Sequence, residues 1–189
     1  MDMDRRAALA GGLVALGAAV PAAAAGSDGS PVPVPAGALR PGLEFLYEMT
    51  AELGDPIAIG TSPDGTRRII PIVSGRIEGP RISARLIEGG ADFQLTRRDD
   101  VTVADATYAM RTDDGVVIQI HNKGLRHGPA DVMAALASGK DVTPDRYYFR
   151  TVPEFIAPVG RYEWLNRSIF VASGARYTNS IKIWVWQLL

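Results

Sequence analysis

From Leu43 onward the chain is a succession of short runs in which apolar and polar residues alternate, separated at near-regular intervals by turn-forming residues. A period of two puts alternate side chains on opposite faces of an extended strand, and turn signals at such spacing belong to sandwiches and barrels. The first run, Leu43 to Leu53, is expected to place Leu43, Phe45, Tyr47, Met49 and Leu53 on one face, with Glu44, Glu48, Thr50 and Glu52 on the other. Gly54-Asp55-Pro56 breaks it, and Ser62-Pro63-Asp64-Gly65 marks a turn before the run Arg68 to Ser74. Further strands are expected at Arg81 to Glu88, Asp92 to Arg97, Val101 to Arg111 and Val116 to Asn122, then at Tyr147 to Thr151, Ile169 to Ser173 and Ile181 to Leu188. One helix interrupts them. Pro129 suits its first position, Val132, Met133 and Leu136 form its apolar stripe, and Gly139 is placed to end it. No strand-helix-strand alternation occurs, so the fold class is all-β: a closed antiparallel β-barrel of lipocalin-like type, whose one short helix caps an end and which leaves no sheet edge bare.

The first residues read as an address. Arg5 and Arg6 are followed by an apolar run to Val20 and an alanine tract ending at Ala25. This order is that of a secretory signal, and the paired arginines before Leu9 resemble the twin-arginine type. The expected organisation is therefore a signal peptide over 1–25, a flexible linker over 26–41 whose four prolines suit an extended chain, and a barrel domain over 42–189. The expected location is the periplasm.

Charge and cysteine content narrow the chemistry. Twenty basic residues balance 21 acidic ones, which leaves no general field for nucleic acid or a membrane surface, and neither is expected as a partner. The 189 residues include no cysteine, so disulfides and thiolate chemistry are excluded. His121 and His127 are the only histidines and have no carboxylate at metal-ligand spacing, so no metal site is expected. Glycines 75, 79, 89 and 90 do not precede a helix and read as turn residues; no nucleotide or other cofactor is expected.

Candidate site residues follow from position. Asp92 opens a strand after two glycines, where a carboxylate serves as a base aimed into the barrel mouth or, equally well, as a turn residue bonded to nearby amides. Tyr108 and Met110 share a face with Thr102, Ala104 and Ala106, a mixture of large and small side chains that leaves room for a cavity. Arg150 shares a face with Tyr148 and Val152; directed inward, its guanidinium needs an anion, either an internal carboxylate or that of a substrate. Arg111 is a second candidate for that duty. Trp164 and Asn166 sit in a loop after Pro158 and Gly160, placed to close over a planar ligand or to plug the barrel.

Several phrases taken together resemble a known family: Gly75-Arg76-Ile77-Glu78-Gly79-Pro80, Gly89-Gly90-Ala91-Asp92-Phe93-Gln94, Asp105-Ala106-Thr107-Tyr108, Asn122-Lys123-Gly124, Tyr148-Phe149-Arg150-Thr151 and Tyr162-Glu163-Trp164-Leu165-Asn166. In this order they are similar to the family catalogued as domain of unknown function 3237, with Phe93 standing where tryptophan is expected. The resemblance implies a single, commonly self-associating β-barrel, and for some members a link to lignin-derived aromatics and cofactor-free decarboxylation of phenolic acids. With that hint to substrate class, Asp92, Tyr108 and Arg150 are the expected catalytic residues, and Phe93, Gln94, Arg111, Tyr148, Trp164 and Asn166 are expected to bind a small aromatic or otherwise apolar ligand. The two functional expectations are a cofactor-independent lyase and a non-catalytic, lipocalin-like carrier. A barrel with a filled interior would serve neither.

Overall fold

The computed structural model describes residues 33–189. The signal peptide expected over 1–25 lies outside them, as does the first part of the expected linker. Residues 33–39 are exposed and contain one turn, in which Ala38 N–H donates to Pro35 O at 3.1 Å.

Nine strands form the barrel domain: β1 (Leu43–Leu53), β2 (Ile57–Ser62), β3 (Gly65–Glu78), β4 (Ala84–Arg97), β5 (Thr102–Thr112), β6 (Val117–His127), β7 (Tyr148–Ile156), β8 (Ile169–Arg176) and β9 (Ser180–Leu188). One helix, α1 (Ala130–Ala137), joins β6 to β7. The sheet order is β1-β9-β8-β7-β6-β5-β4-β3-β2, every pair is antiparallel, and β1 also pairs with β3. Eight strands thus close into a barrel, while β2 lies outside the ring against the first half of β3. Closure satisfies backbone donors and acceptors that an open sheet would leave bare.

Three departures from the expected pattern have local causes. A register shift between Phe45 and Tyr47 reverses the faces of β1. Leu43 and Phe45 consequently lie outside, while Leu46, Tyr47, Met49 and Ala51 are buried. A bulge inserts one unpaired residue, and every side chain beyond it changes side. Secondly, Gly89-Gly90 does not separate two strands: β4 runs through it, with a register shift between Ile87 and Ala91. A Cβ on Gly90 would stand 2.5 Å from Cβ of Tyr108, so this glycine answers to a close neighbour within the sheet. Thirdly, β6 continues five residues past Asn122. Gly124 stays in the strand because a Cβ there would lie 2.1 Å from the Arg150 carbonyl oxygen. Pro129 occupies the N-cap of α1, one position before the expected one.

The two ends of the barrel are filled differently. At the lower end, where β1 begins, Leu46, Tyr47, Ile82, Phe155, Leu165 and Phe170 are almost wholly buried. Phe155 packs edge-on against Phe170 at 4.8 Å and against Tyr47 at 6.3 Å, geometries that suit the aromatic quadrupole. This aromatic layer is a plug. At the upper end, where β1 finishes, the walls carry small and polar residues instead, among them Ala104, Ala106, Asn122 and Thr151. There α1 buries Val132, and Gly139, just past the helix, accepts a 2.7 Å hydrogen bond from Thr178 Oγ1 in the β8–β9 turn.

Candidate functional site

The upper half of the barrel encloses a cavity whose free space is about 40 Å³. Its apolar wall includes Met49, Ile70, Ile72, Phe149 and Ile183, and it reaches the rim at Leu53, Arg176 and Ile181. The polar groups come from β4, β5, β6, β7 and β8: Asp92 and Gln94, Tyr108, Asn122 and Arg126, Thr151, and Arg176. Such a volume holds a few waters or one small polar head group, whereas roughly 150 Å³ is what admits benzene.

Asp92 is tied into the wall by defined bonds. The recorded register of β4 with β5 passes from Asp92 and Ala106 to Leu95 and Val103, skipping Phe93 and Gln94. Across this gap the Asp105 N–H donates to Asp92 Oδ1 at 2.8 Å. Gln94 Nε2 donates to Asp92 Oδ2 at 3.0 Å, and Gln94 Oε1 accepts from Arg68 Nε at 2.9 Å. Despite these bonds, and despite the nearby guanidinium groups of Arg126 and Arg68, desolvation dominates and raises the Asp92 pKa above its ordinary value. Tyr108 is wholly enclosed. Burial raises its phenol far out of the physiological range, with hydrogen bonding to Asn122 offsetting part of the effect. At neutral pH Tyr108 can donate or accept a hydrogen bond as a neutral phenol but cannot serve as a phenolate base.

Arg126 was absent from the sequence expectations because the strand was expected to end at Asn122. It is only 7% exposed. Its guanidinium carbon lies 5.6 Å from the centre of the Phe149 ring, and its Nε has no hydrogen-bond partner. Burial, reinforced by repulsion from Arg68 and Arg176, pushes its pKa down to about 10, so it remains charged at neutral pH. Arg176, in contrast, is anchored by its own strand end, donating from Nη1 to Ser180 O at 2.8 Å and also to Tyr177 O. Among the described residues, four buried side-chain atoms lack a partner, and three of them line this cavity: Asn122 Oδ1, Arg126 Nε and Thr151 Oγ1. Buried polar groups in native proteins are nearly always paired, so this concentration sets the cavity apart from the rest of the described core.

Of the residues expected from sequence, Asp92, Gln94 and Tyr108 meet in the cavity. The others do not. Arg150 and Tyr148 face outward, because Phe149 and Thr151 take the inner positions of β7; Arg150 Nη1 donates to Phe149 O at 2.9 Å. Phe93 is 53% exposed on the outer face of β4, and Arg111 is exposed on β5. Trp164 lies against Phe170, with the Arg81 guanidinium 3.7 Å from its ring centre. Asn166 bridges the backbone of Ala157, accepting from its N–H and donating to its carbonyl oxygen at 2.8 Å each. These two residues brace the β7–β8 connection and are not on the cavity wall. Among the described residues, no group of three or more His, Cys, Asp or Glu is placed to hold a metal ion.

Comparison with known proteins returns one consistent set. A family model described as protein of unknown function (DUF3237) matches residues 41–188. A UPF0311 protein of Rhodopseudomonas palustris is 39% identical over 153 residues, which cover 80% of this chain and all of the relative. A second, from Bradyrhizobium diazoefficiens, is 38% identical over 77% of this chain and 95% of its own length. Among solved structures, a Rhodopseudomonas palustris protein of unknown function aligns with a TM-score of 0.78 at 38% identity, covering 80% of this chain and 100% of its own. A β-barrel like protein of Acinetobacter baumannii aligns at 0.72 with 34% identity, over 82% of this chain and 100% of its own. A Penicillium herquei protein described as an enzyme aligns at 0.62 with 20% identity, over the same shares, a likeness of fold alone.

Proposed function

The chain belongs to the DUF3237 family, and from that premise we propose that its barrel binds a small aromatic acid and acts on it as a cofactor-independent lyase, with Asp92 as the proton-exchanging group. One observation carries the reading: a carboxyl whose pKa is raised by desolvation shares a cavity with polar atoms that have no partner among the described residues. A carrier cavity is expected to have its polar groups paired internally, whereas a raised carboxyl beside unpaired donors and acceptors suits proton transfer.

The chemistry we assign is decarboxylation of a phenolic acid in which the ring is conjugated to the carboxylate through a double bond. Protonated Asp92 delivers its proton to the carbon bearing the carboxylate, while electrons from the ionised phenol oxygen flow through the ring to give a quinone methide. The bonding pair of the departing carbon dioxide then returns to that oxygen, and Asp92 recovers a proton from solvent. Tyr108 and Asn122 line the space in which the reacting atoms sit. The signal-like segment with Arg5 and Arg6 extends the proposal to a periplasmic site of action.

The test is to incubate the protein with 4-hydroxycinnamate and with cinnamate, following products by mass. Carbon dioxide loss from the phenolic acid alone, abolished in Asp92→Asn, is the expected result. Saturable binding without a change of mass would overturn the lyase reading and leave a carrier.

A further inference from the structure

The cavity carries more positive charge than its own carboxylate can balance. Arg68, Arg126 and Arg176 act on one another and on Asp92 through space, and Asp92 is the single acidic residue on the cavity lining. Two of the three guanidinium groups have fixed partners: Arg68 bonds to Gln94, and Arg176 to the carbonyl oxygens of Tyr177 and Ser180. Among the described residues Arg126 shows no side-chain hydrogen bond, and its Nε is buried without a partner. It is held over the face of Phe149, with Asn122 Oδ1 and Thr151 Oγ1, both also unpartnered, on the same lining. A buried cation is ordinarily paired, because removing it from water without compensation is costly. The geometry points to Arg126 as the residue that binds the ligand's carboxylate, and to the loss of that pairing as the event that releases a decarboxylated product.

This rests on the lyase reading for its second half but adds the charge that the occupant must carry. A planar guanidinium presents two parallel N–H donors matched to the two oxygens of a carboxylate. The substrate is thus an organic anion, held by its acid group in the deep part of the cavity with its ring toward the rim. Once the C–C bond breaks and carbon dioxide leaves, the remaining phenol has nothing with which to pair Arg126. The residue that admits the acid does not retain the product.

The experiment is calorimetric binding of 4-hydroxycinnamate, its primary amide and 4-ethylphenol, the last standing in for the product, to the parent protein, Arg126→Met and Arg126→Lys. Pairing with a charged hydrogen bond implies that the parent prefers the acid over the amide by about 10- to 150-fold. That preference should vanish in Arg126→Met, recover in part in Arg126→Lys, and leave 4-ethylphenol binding unchanged throughout. Melting temperature supplies a second readout. Methionine removes an unpaired buried charge, so the ligand-free variant should melt above the parent, whereas an arginine with a structural role would lower it. Equal binding of acid and amide by the parent, or a destabilised Arg126→Met that still prefers the acid, would overturn the assignment. The two proposals fail separately. Anion binding that depends on Arg126 with no turnover leaves this inference standing and removes the lyase, and turnover that Arg126→Met does not affect does the reverse.

Discussion

Asp92 and Asn166 are both polar residues that follow glycine or proline punctuation at a short distance, Gly89-Gly90 for the first and Pro158 and Gly160 for the second, and the fold gives them opposite duties. Asp92 sits where a carboxyl is disfavoured as an anion, so folding raises its pKa. Such a group binds its proton more tightly in the folded state. Its contribution is fully present below the unfolded value, near about 3.9, and is lost as pH rises through the folded one. Asp92→Asn should therefore melt higher than the parent at neutral pH, with the gap closing toward about pH 3, as a series of thermal melts would reveal. Asn166 holds both polar groups of Ala157. Asn166→Ala should cost about 1–2 kcal/mol in denaturant unfolding while leaving ligand affinity unchanged. The sequence could single out Asp92 by its place after two glycines and Tyr108 by the small residues on its strand face, whereas Gln94 entered only through the family resemblance, because the apolar Phe93 and Leu95 beside it lie on the outer face of β4. It could not orient Arg150, since β7 alternates Tyr148, Arg150 and Val152 against Phe149, Thr151 and Pro153, and either set makes a plausible interior.

At the scale of elements, the alternation from Leu43 announced strands correctly, and β1 runs over the residues expected of it. What alternation does not encode is a bulge. One unpaired residue near Leu46 exchanges the faces, and only a partner strand reveals it. Glycine misled in the same way. Gly90 reads as a turn residue and Gly124 falls past the expected end of its strand, yet each lies inside a strand because a neighbouring strand passes too close for a Cβ. Hiding the extension of β6 behind Gly124 also hid Arg126. Gly124→Ala should destabilise by about 1–3 kcal/mol through overpacking against β7, measured as a reduced urea midpoint. The short strand β2 was not anticipated, since Ile57 to Ser62 lies between two turn signals and supplies no inner face to the barrel.

For the molecule as a whole, the sequence made the closed all-β architecture legible, because regular turns and the lack of long helices leave few alternatives. The outer wall adds a property that periodicity cannot supply. Leu125, Tyr148 and Val152 are exposed, and they share a shallow groove with Leu43, Val171 and Trp186. Apolar surface gathered in this way favours association. Sedimentation should show a concentration-dependent oligomer that Val152→Glu shifts toward monomer, without altering the pocket inside. The aromatic plug at the lower end has a further consequence for traffic. With one end closed, the cavity is a cul-de-sac: an occupant enters and leaves by a single door, so a second molecule cannot push the first out ahead of it. For the lyase proposed above, turnover would wait on each departure, and an excess of substrate at the doorway would slow the exit it depends on.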